Sequence, residues 1–190
     1  RYCVETQQML EELVALSPKL RLEVVDIFAQ PELAKDEDIV RVPALAFGPK
    51  GKAKLRFFGI PGGYQLSVIV ENIKTMSRGV SPLSMATRKG LREINRPVQI
   101  QVFVTPTDTA CPPVARLAHA LAIENEKITA DVIEIEEFPA LVQHYEIRSV
   151  PMTIVNEITK ITGLTNEQEF VDKILQFGIR KESESTPAQA

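Results

Sequence analysis

The sequence predicts an α/β protein built from two tandem copies of one module. Each copy is expected to hold a central mixed β-sheet flanked by helices, and the first copy lacks its opening strand. Three observations predict this. Each of the two cysteines lies 40 positions before the proline of a Val-Pro pair, Cys3 before Pro43 and Cys111 before Pro151. The same offset of 108 that relates those sets also relates Leu13 to Leu121, Asp26 to Glu134, Pro31 to Pro139, Leu33 to Leu141, Ile39 to Ile147 and Val42 to Val150. Helical and strand-like apolar spacing then alternates in the same order in both halves.

In the first half, residues 3–17 carry a helical stripe of Val4, Met9, Leu10, Leu13, Val14 and Leu16. Ser17-Pro18 ends it, because proline cannot continue a helix and restricts the residue before it. Residues 20–28 read as a strand. Pro31 opens a short acidic helix to about residue 39, since a first-turn proline loses no hydrogen bond. Residues 41–47 read as a strand, Gly48-Pro49-Lys50-Gly51 as a hairpin turn, and 55–58 as the returning strand. A glycine-rich bend at 59–63 leads into an amphipathic helix over 64–76. Residues 78–96 are expected to form a helical connector, stopped by Pro97.

The second half begins with the strand 98–105 and the loop 106–110. A helix follows over 111–125, then a strand over 128–135 and a helix over 138–145. The paired strands 151–155 and 157–161 and a closing helix over 165–177 complete the copy. The expected division is therefore a first module over 1–79, a connector over 80–97, a second module over 98–180 and a polar, disordered tail over 181–190. A central strand is not lost without orphaning its neighbours' ladder groups. The sequence is accordingly expected to start inside a longer protein that supplies a strand and loop before Arg1.

Bulk composition narrows the function. The chain has 190 residues, 44% of them apolar, and a net charge of −3 with a pI near 5.6. That argues against a broad nucleic-acid-binding face. No apolar run approaches the roughly 18 residues a membrane span needs, and no leader pattern is evident. Two cysteines do not make a disulfide scaffold. The expectation is a cytoplasmic protein with no nucleic-acid or membrane partner.

A cysteine at a helix N-terminus faces unpaired amides that favour the thiolate. In a Cys-x-x-Cys site the first cysteine attacks and the second resolves the mixed disulfide. Pro43 and Pro151 are each expected to follow a cis bond, a committed backbone feature. Such a bond turns the backbone of Val42 or Val150 toward the thiols, where it can pair with an extended substrate chain.

Phe103-Val104-Thr105-Pro106-Thr107, Cys111-Pro112 and Ala115-Arg116-Leu117-Ala118-His119 are similar to the second module of the protein disulfide oxidoreductases. Arg92-Glu93-Ile94, Ala122-Ile123-Glu124-Asn125, Ser149-Val150-Pro151 and Gly59-Ile60-Pro61-Gly62-Gly63-Tyr64 extend the resemblance over nearly the whole chain. That family is glutaredoxin-like and consists of two fused thioredoxin-like folds. The resemblance implies a protein-disulfide oxidoreductase with no cofactor. Its partners would be protein disulfides and a reductant of the thioredoxin-reductase or glutathione kind.

The sequence departs from the family twice. Where the second module carries Cys-Pro-Tyr-Cys, this chain has Asp108-Thr109-Ala110-Cys111, a degenerate site. Arg1-Tyr2-Cys3 supplies only the last three positions of the first site. The resemblance makes Cys3 and Cys111 the catalytic candidates, with Cys3 resolving and the residue before Arg1 attacking. It makes Tyr2, Val42, Pro43, Val150 and Pro151 the substrate-binding candidates. Asp108 also reads as a helix cap, and Cys111 as a small buried hydrophobe. Asp26 and Glu134 read either as solvated strand-end acids or as buried proton-transfer groups.

His119 and His144 have no recognised zinc spacing with the cysteines, and His119 reads as a packed or surface helix residue. The 59–63 bend reads either as an anion site at the following helix N-terminus or, the favoured reading, as a fold closure lining the thiol site. No Walker-type loop or dinucleotide fingerprint is present. Three readings follow: an oxidoreductase working through the first module, a non-catalytic binding or assembly module, and a monothiol redox sensor at Cys111 or Cys3.

Overall fold

A computed structural model describes residues 2–48 and 53–179. Arg1, the tip of the expected hairpin turn and the expected tail over 181–190 lie outside the described residues. Helix α1 (Cys3–Ala15) ends one turn before Pro18. Helix α2 (Pro31–Asp36) starts on its proline. Strands β1 (Ala44–Phe47) and β2 (Leu55–Phe58) are followed by a 3-10 turn at Gly63–Gln65 and by α3 (Leu66–Arg78). Gly79, at φ +66°, closes α3 in the left-handed conformation that glycine adopts most readily.

The connector is helical only over α4 (Met85–Leu91), capped by Ser84 Oγ, which accepts the Thr87 N–H at 3.1 Å. Then come β3 (Val98–Val104), α5 (Cys111–Glu124), β4 (Ile128–Glu134), α6 (Pro139–His144), β5 (Met152–Val155), β6 (Thr159–Thr162) and α7 (Glu167–Gly178). Among the described residues no helix is long and apolar enough to cross a membrane.

The strands form one sheet in the order β1-β2-β4-β3-β5-β6. The β2–β4 and β3–β4 pairs are parallel and the rest antiparallel. Because β2 belongs to the first copy and β4 to the second, the copies share a continuous ladder. One face packs Phe57, Ile100, Val102 and Val132 against Val68 and Ile69 of α3, Leu121 of α5 and Phe170 and Ile174 of α7. The other packs Phe58, Phe103, Ile133, Met152 and Ile154 around Tyr145 and Ile147.

The repeat recurs bond by bond. The bonds Glu37 N–H to Leu33 O and Ile39 N–H to Ala34 O have copies at Tyr145 to Leu141 and Ile147 to Val142, each 108 positions on. Asp38 at φ 53° matches Glu146 at φ 51°. Pro43 O accepts the Gly59 N–H and Pro151 O the Gly163 N–H, both at 2.8 Å. The second pairing closes four residues sooner, so the second hairpin is shorter.

Besides the connector, residues of the first copy depart from the expectation. Residues 20–28 do not form a strand: 20–26 are irregular and 27–29 turn. Their copy, β4, is laddered to β3 on one side and β2 on the other. No described residue of the first copy stands where β3 does, and an extended run without a ladder partner leaves its amides and carbonyls to solvent.

Candidate thiol site

Cys3 is the first residue of α1 and its free thiol is exposed. The carbonyl of Tyr2 accepts the Thr6 N–H at 2.9 Å and the Thr6 hydroxyl at 2.6 Å, which fixes the first turn. The Val42–Pro43 bond is cis. Pro43 is buried and its carbonyl is engaged by Gly59, whereas Val42 is 38% exposed at the mouth of β1. Helix α1 reaches the main core only through Leu10 and Leu13 and fully buries only Thr6.

The second copy has the same parts with the opposite accessibility. Asp108 Oδ1 accepts the Ala110 N–H at 2.7 Å, closing a turn ahead of α5, but it is not the expected helix cap: the N-cap position is Ala110 and no side chain caps the helix. Thr109 is exposed and Ala110 half-buried. Cys111 is completely buried. Burial pushes its thiol up to about 11; the neighbouring Asp108 carboxylate, which also hydrogen-bonds the thiol, adds to the shift, and a backbone bond from Thr105 opposes it. A thiol so protected is almost wholly protonated near neutral pH. The candidacy of Cys111 as a catalytic thiol therefore lacks both access and ionisation. Val150–Pro151 is also cis; Pro151 is buried, and Val150 packs against the core cluster that contains Cys111.

The glycine bend of the first copy lies over the second site. Tyr64 N–H bonds Pro106 O at 3.0 Å, and Gln65 Nε2 donates to Thr105 O at 2.9 Å. Gly63, at φ +55°, brings its backbone so near that a Cβ would stand 2.4 Å from Pro106 O. Ile60 N–H bonds Glu137 Oε1 at 2.5 Å. The bend is thus tied to the thiol loop and to the turn after β4.

Glu134 ends β4 and is buried, and burial raises its carboxyl above the usual range. It accepts the Glu136 and Glu137 N–H groups, both at 3.0 Å. Asp26 accepts from Phe28 and Ala29 at matching places but is exposed. Both acids are turn caps, and only Glu134 also lies in the interior. His119 is fully buried: Asn72 Nδ2 meets its Nδ1 at 2.7 Å and its Nε2 meets Arg56 O at 3.3 Å. Since Asn72 Nδ2 donates, Nδ1 accepts and Nε2 carries the proton. His144 is exposed, and among the described residues no cluster of ligating side chains is placed to hold a metal.

Sequence reasoning missed the buried pair at the junction. Arg56 Nε and Nη2 meet Asp131 Oδ1 and Oδ2 at 2.6 and 2.9 Å, and Arg56 Nη1 reaches Glu37 O and the Asp38 carboxylate. The available signal was a charged residue in the middle of each of two apolar strands.

A thioredoxin domain family matches residues 98–176. A protein disulfide oxidoreductase from Aeropyrum pernix K1 is similar over 94% of this chain and 80% of its own, at 27% identity and a TM-score of 0.88. The NTD_N/C domain of alkylhydroperoxide reductase AhpF from Enterococcus faecalis (V583) covers 90% of this chain and 83% of its own, at 24% identity and a TM-score of 0.84; that likeness is one of fold. No curated protein matches the sequence. The chain has a thioredoxin-like fold, a mixed sheet flanked by helices, and its likeness to the Aeropyrum protein supports a general thiol–disulfide oxidoreductase role.

Proposed function

We propose that the chain exchanges disulfides in protein substrates through its first module, with Cys3 as the resolving thiol. If a cysteine stands at the position before Arg1, as the Cys-x-x-Cys pattern of the resembled family requires, it is the attacking thiol of the pair. That thiolate attacks a substrate disulfide and forms a mixed disulfide, releasing one substrate thiolate. Cys3 then attacks the attacking sulfur, closes the protein disulfide and releases the second substrate thiolate. Val42 and Pro43 offer the extended surface on which the substrate backbone lies, and Tyr2 flanks it. The second module, with Asp108 at the attacking position, is a degenerate copy that serves packing or, at the half-buried Val150 beside Pro151, substrate binding.

The observation that carries this reading is the contrast between the cysteines: Cys3 is exposed at a helix start, and Cys111 is buried with its thiol held up to about 11. The proposed modules span 1–79 and 98–180, joined by 80–97, in a cytoplasmic protein recharged by a thioredoxin-reductase-like or glutathione reductant. Insulin reduction by a polypeptide that includes the residue before Arg1 tests it. Cys3→Ser abolishes turnover and Cys111→Ser leaves it within about twofold; full activity in Cys3→Ser refutes the assignment.

A second reading, a monothiol at Cys3 that forms mixed disulfides with glutathione, is favoured by the fact that Cys3 is the exposed one of the two cysteines. It predicts glutathione adducts without insulin turnover.

A further inference from the structure

The charge pattern of the junction between the copies recurs on two exposed segments. β2 and its copy β6 are related by an offset of 104, the spacing of Gly59 and Gly163. Their pairings with β1 and β5 match residue for residue: Ala46 faces Arg56 as Ile154 faces Lys160, and Phe47 faces Leu55 as Val155 faces Thr159. Lys160 thus takes the place of Arg56. It also repeats one of that residue's bonds. Arg56 Nη1 donates to Glu37 O, and Lys160 Nζ donates at 2.6 Å to the carbonyl of Tyr145, which lies 108 positions after Glu37.

The partner of Arg56 has its copy too. Asp131 sits in β4, and 108 positions before it lies Glu23, inside the run 20–26. The four residues of β4 that pair with β2, Ala130 to Ile133, become Leu22, Glu23, Val24 and Val25. The order apolar, acidic, apolar, apolar is kept. The seam begins with Ala130 N–H on Lys54 O at 2.8 Å, and the copies of those groups are Leu22 N–H and Ile158 O. Arg56 and Asp131 satisfy each other inside the molecule. Lys160 and Glu23 are both exposed, as are Ile158 and Val24 beside them. β6 is the last strand of the sheet, so among the described residues no strand lies along its outer side.

We propose that the outer edge of β6 takes residues 22–25 of a second copy of this chain, laid parallel to it in the register of the β2–β4 seam. Lys160 then meets Glu23 as Arg56 meets Asp131. Main-chain bonds that begin with Leu22 N–H on Ile158 O supply the attachment. An edge strand is a template for such pairing, and the opposite charges at the matched position set its register. The contact joins different surfaces of the two chains, so copies add head to tail. Thr159 and Thr162 stand where the seam has Leu55 and Phe58, so the contact buries less apolar surface than the seam and is reversible. The inference rests on the repeat and is independent of the thiol chemistry.

Sedimentation equilibrium of the 190-residue chain, from micromolar to near-millimolar concentration, tests it. Reductant is present throughout, so that Cys3 cannot cross-link chains. The average mass climbs past that of a dimer as concentration rises. Glu23→Lys, on an exposed and unladdered run, and Lys160→Glu each set like charges across the contact and weaken association by about tenfold or more. The variant carrying both exchanges regains the parent's association within about threefold. Amide exchange supplies a second readout that does not depend on the Lys160 variant: protection of 22–25 and 159–162 rises with concentration in the parent chain and not in Glu23→Lys. A single-chain mass at every concentration, association that Glu23→Lys leaves unchanged, or concentration-dependent protection confined to other segments overturns the proposal.

Discussion

Arg56 and Asp131 form a two-pronged, fully buried ion pair across the parallel seam between β2 and β4, at 2.6 and 2.9 Å. They are register partners, and the two copies meet at this pair. A buried pair is weak evidence of net stabilisation, but removing one partner strands the other charge. Asp131→Ala should therefore lower stability by about 3–5 kcal/mol in urea unfolding. The double variant Arg56→Met with Asp131→Leu should recover most of that loss.

Cys111 gives a pH signature. Its folded pKa of about 11 lies above the ordinary value of 9.0, so the unfolded thiol ionises first. The associated stability is fully present below pH 9 and is lost as pH rises through about 11, amounting to about 3 kcal/mol. Cys111→Ala should show a shallower alkaline decline, whatever its level at neutral pH. Asp108→Asn removes the adjacent negative charge and should lower the thiol pKa, read from thiolate absorbance.

Gly63 tests whether the bend protects the second thiol. A Cβ there would meet Pro106 O at 2.4 Å with φ at +55°, and Gly63→Ala should cost about 1–3 kcal/mol. Iodoacetamide at pH 9 should then label Cys111 faster in the variant than in the parent chain. Equal, slow labelling in both would show that the core alone protects the sulfur.

His119 governs the acid side. Burial lowers its pKa from 6.5 to about 4. The unfolded chain binds the proton first, so the contribution is complete above pH 6.5 and is lost as pH falls through 4. The imidazole NMR signals of His119 should stay those of the neutral ring down to about pH 5. His119→Gln should flatten the stability slope in that window.

Much of this fold was legible because the repeat is written twice. The Cys-to-Pro spacing, Pro31 and Pro139, and the acids Asp26 and Glu134 all mark equivalent turns in the structure. Residues 20–28 misled because alternation records which side chains are apolar, not whether a ladder partner exists. The Arg56–Asp131 pair stayed hidden because its members are 75 positions apart and each looks like a defect in its own strand. The burial of Cys111 was open for a related reason: the bend above its loop comes from the other half of the chain. The expected place of that bend beside the thiol site was readable, and its hydrogen bonds to Thr105 and Pro106 were not.

The most direct test of the thiol assignment is to react the folded 190-residue chain with excess glutathione disulfide at neutral pH and map the adduct by peptide mass spectrometry. A mixed disulfide should form on Cys3, with Cys111 unmodified until the chain is unfolded. Modification of Cys111 in the folded chain, or an inert Cys3, would contradict it.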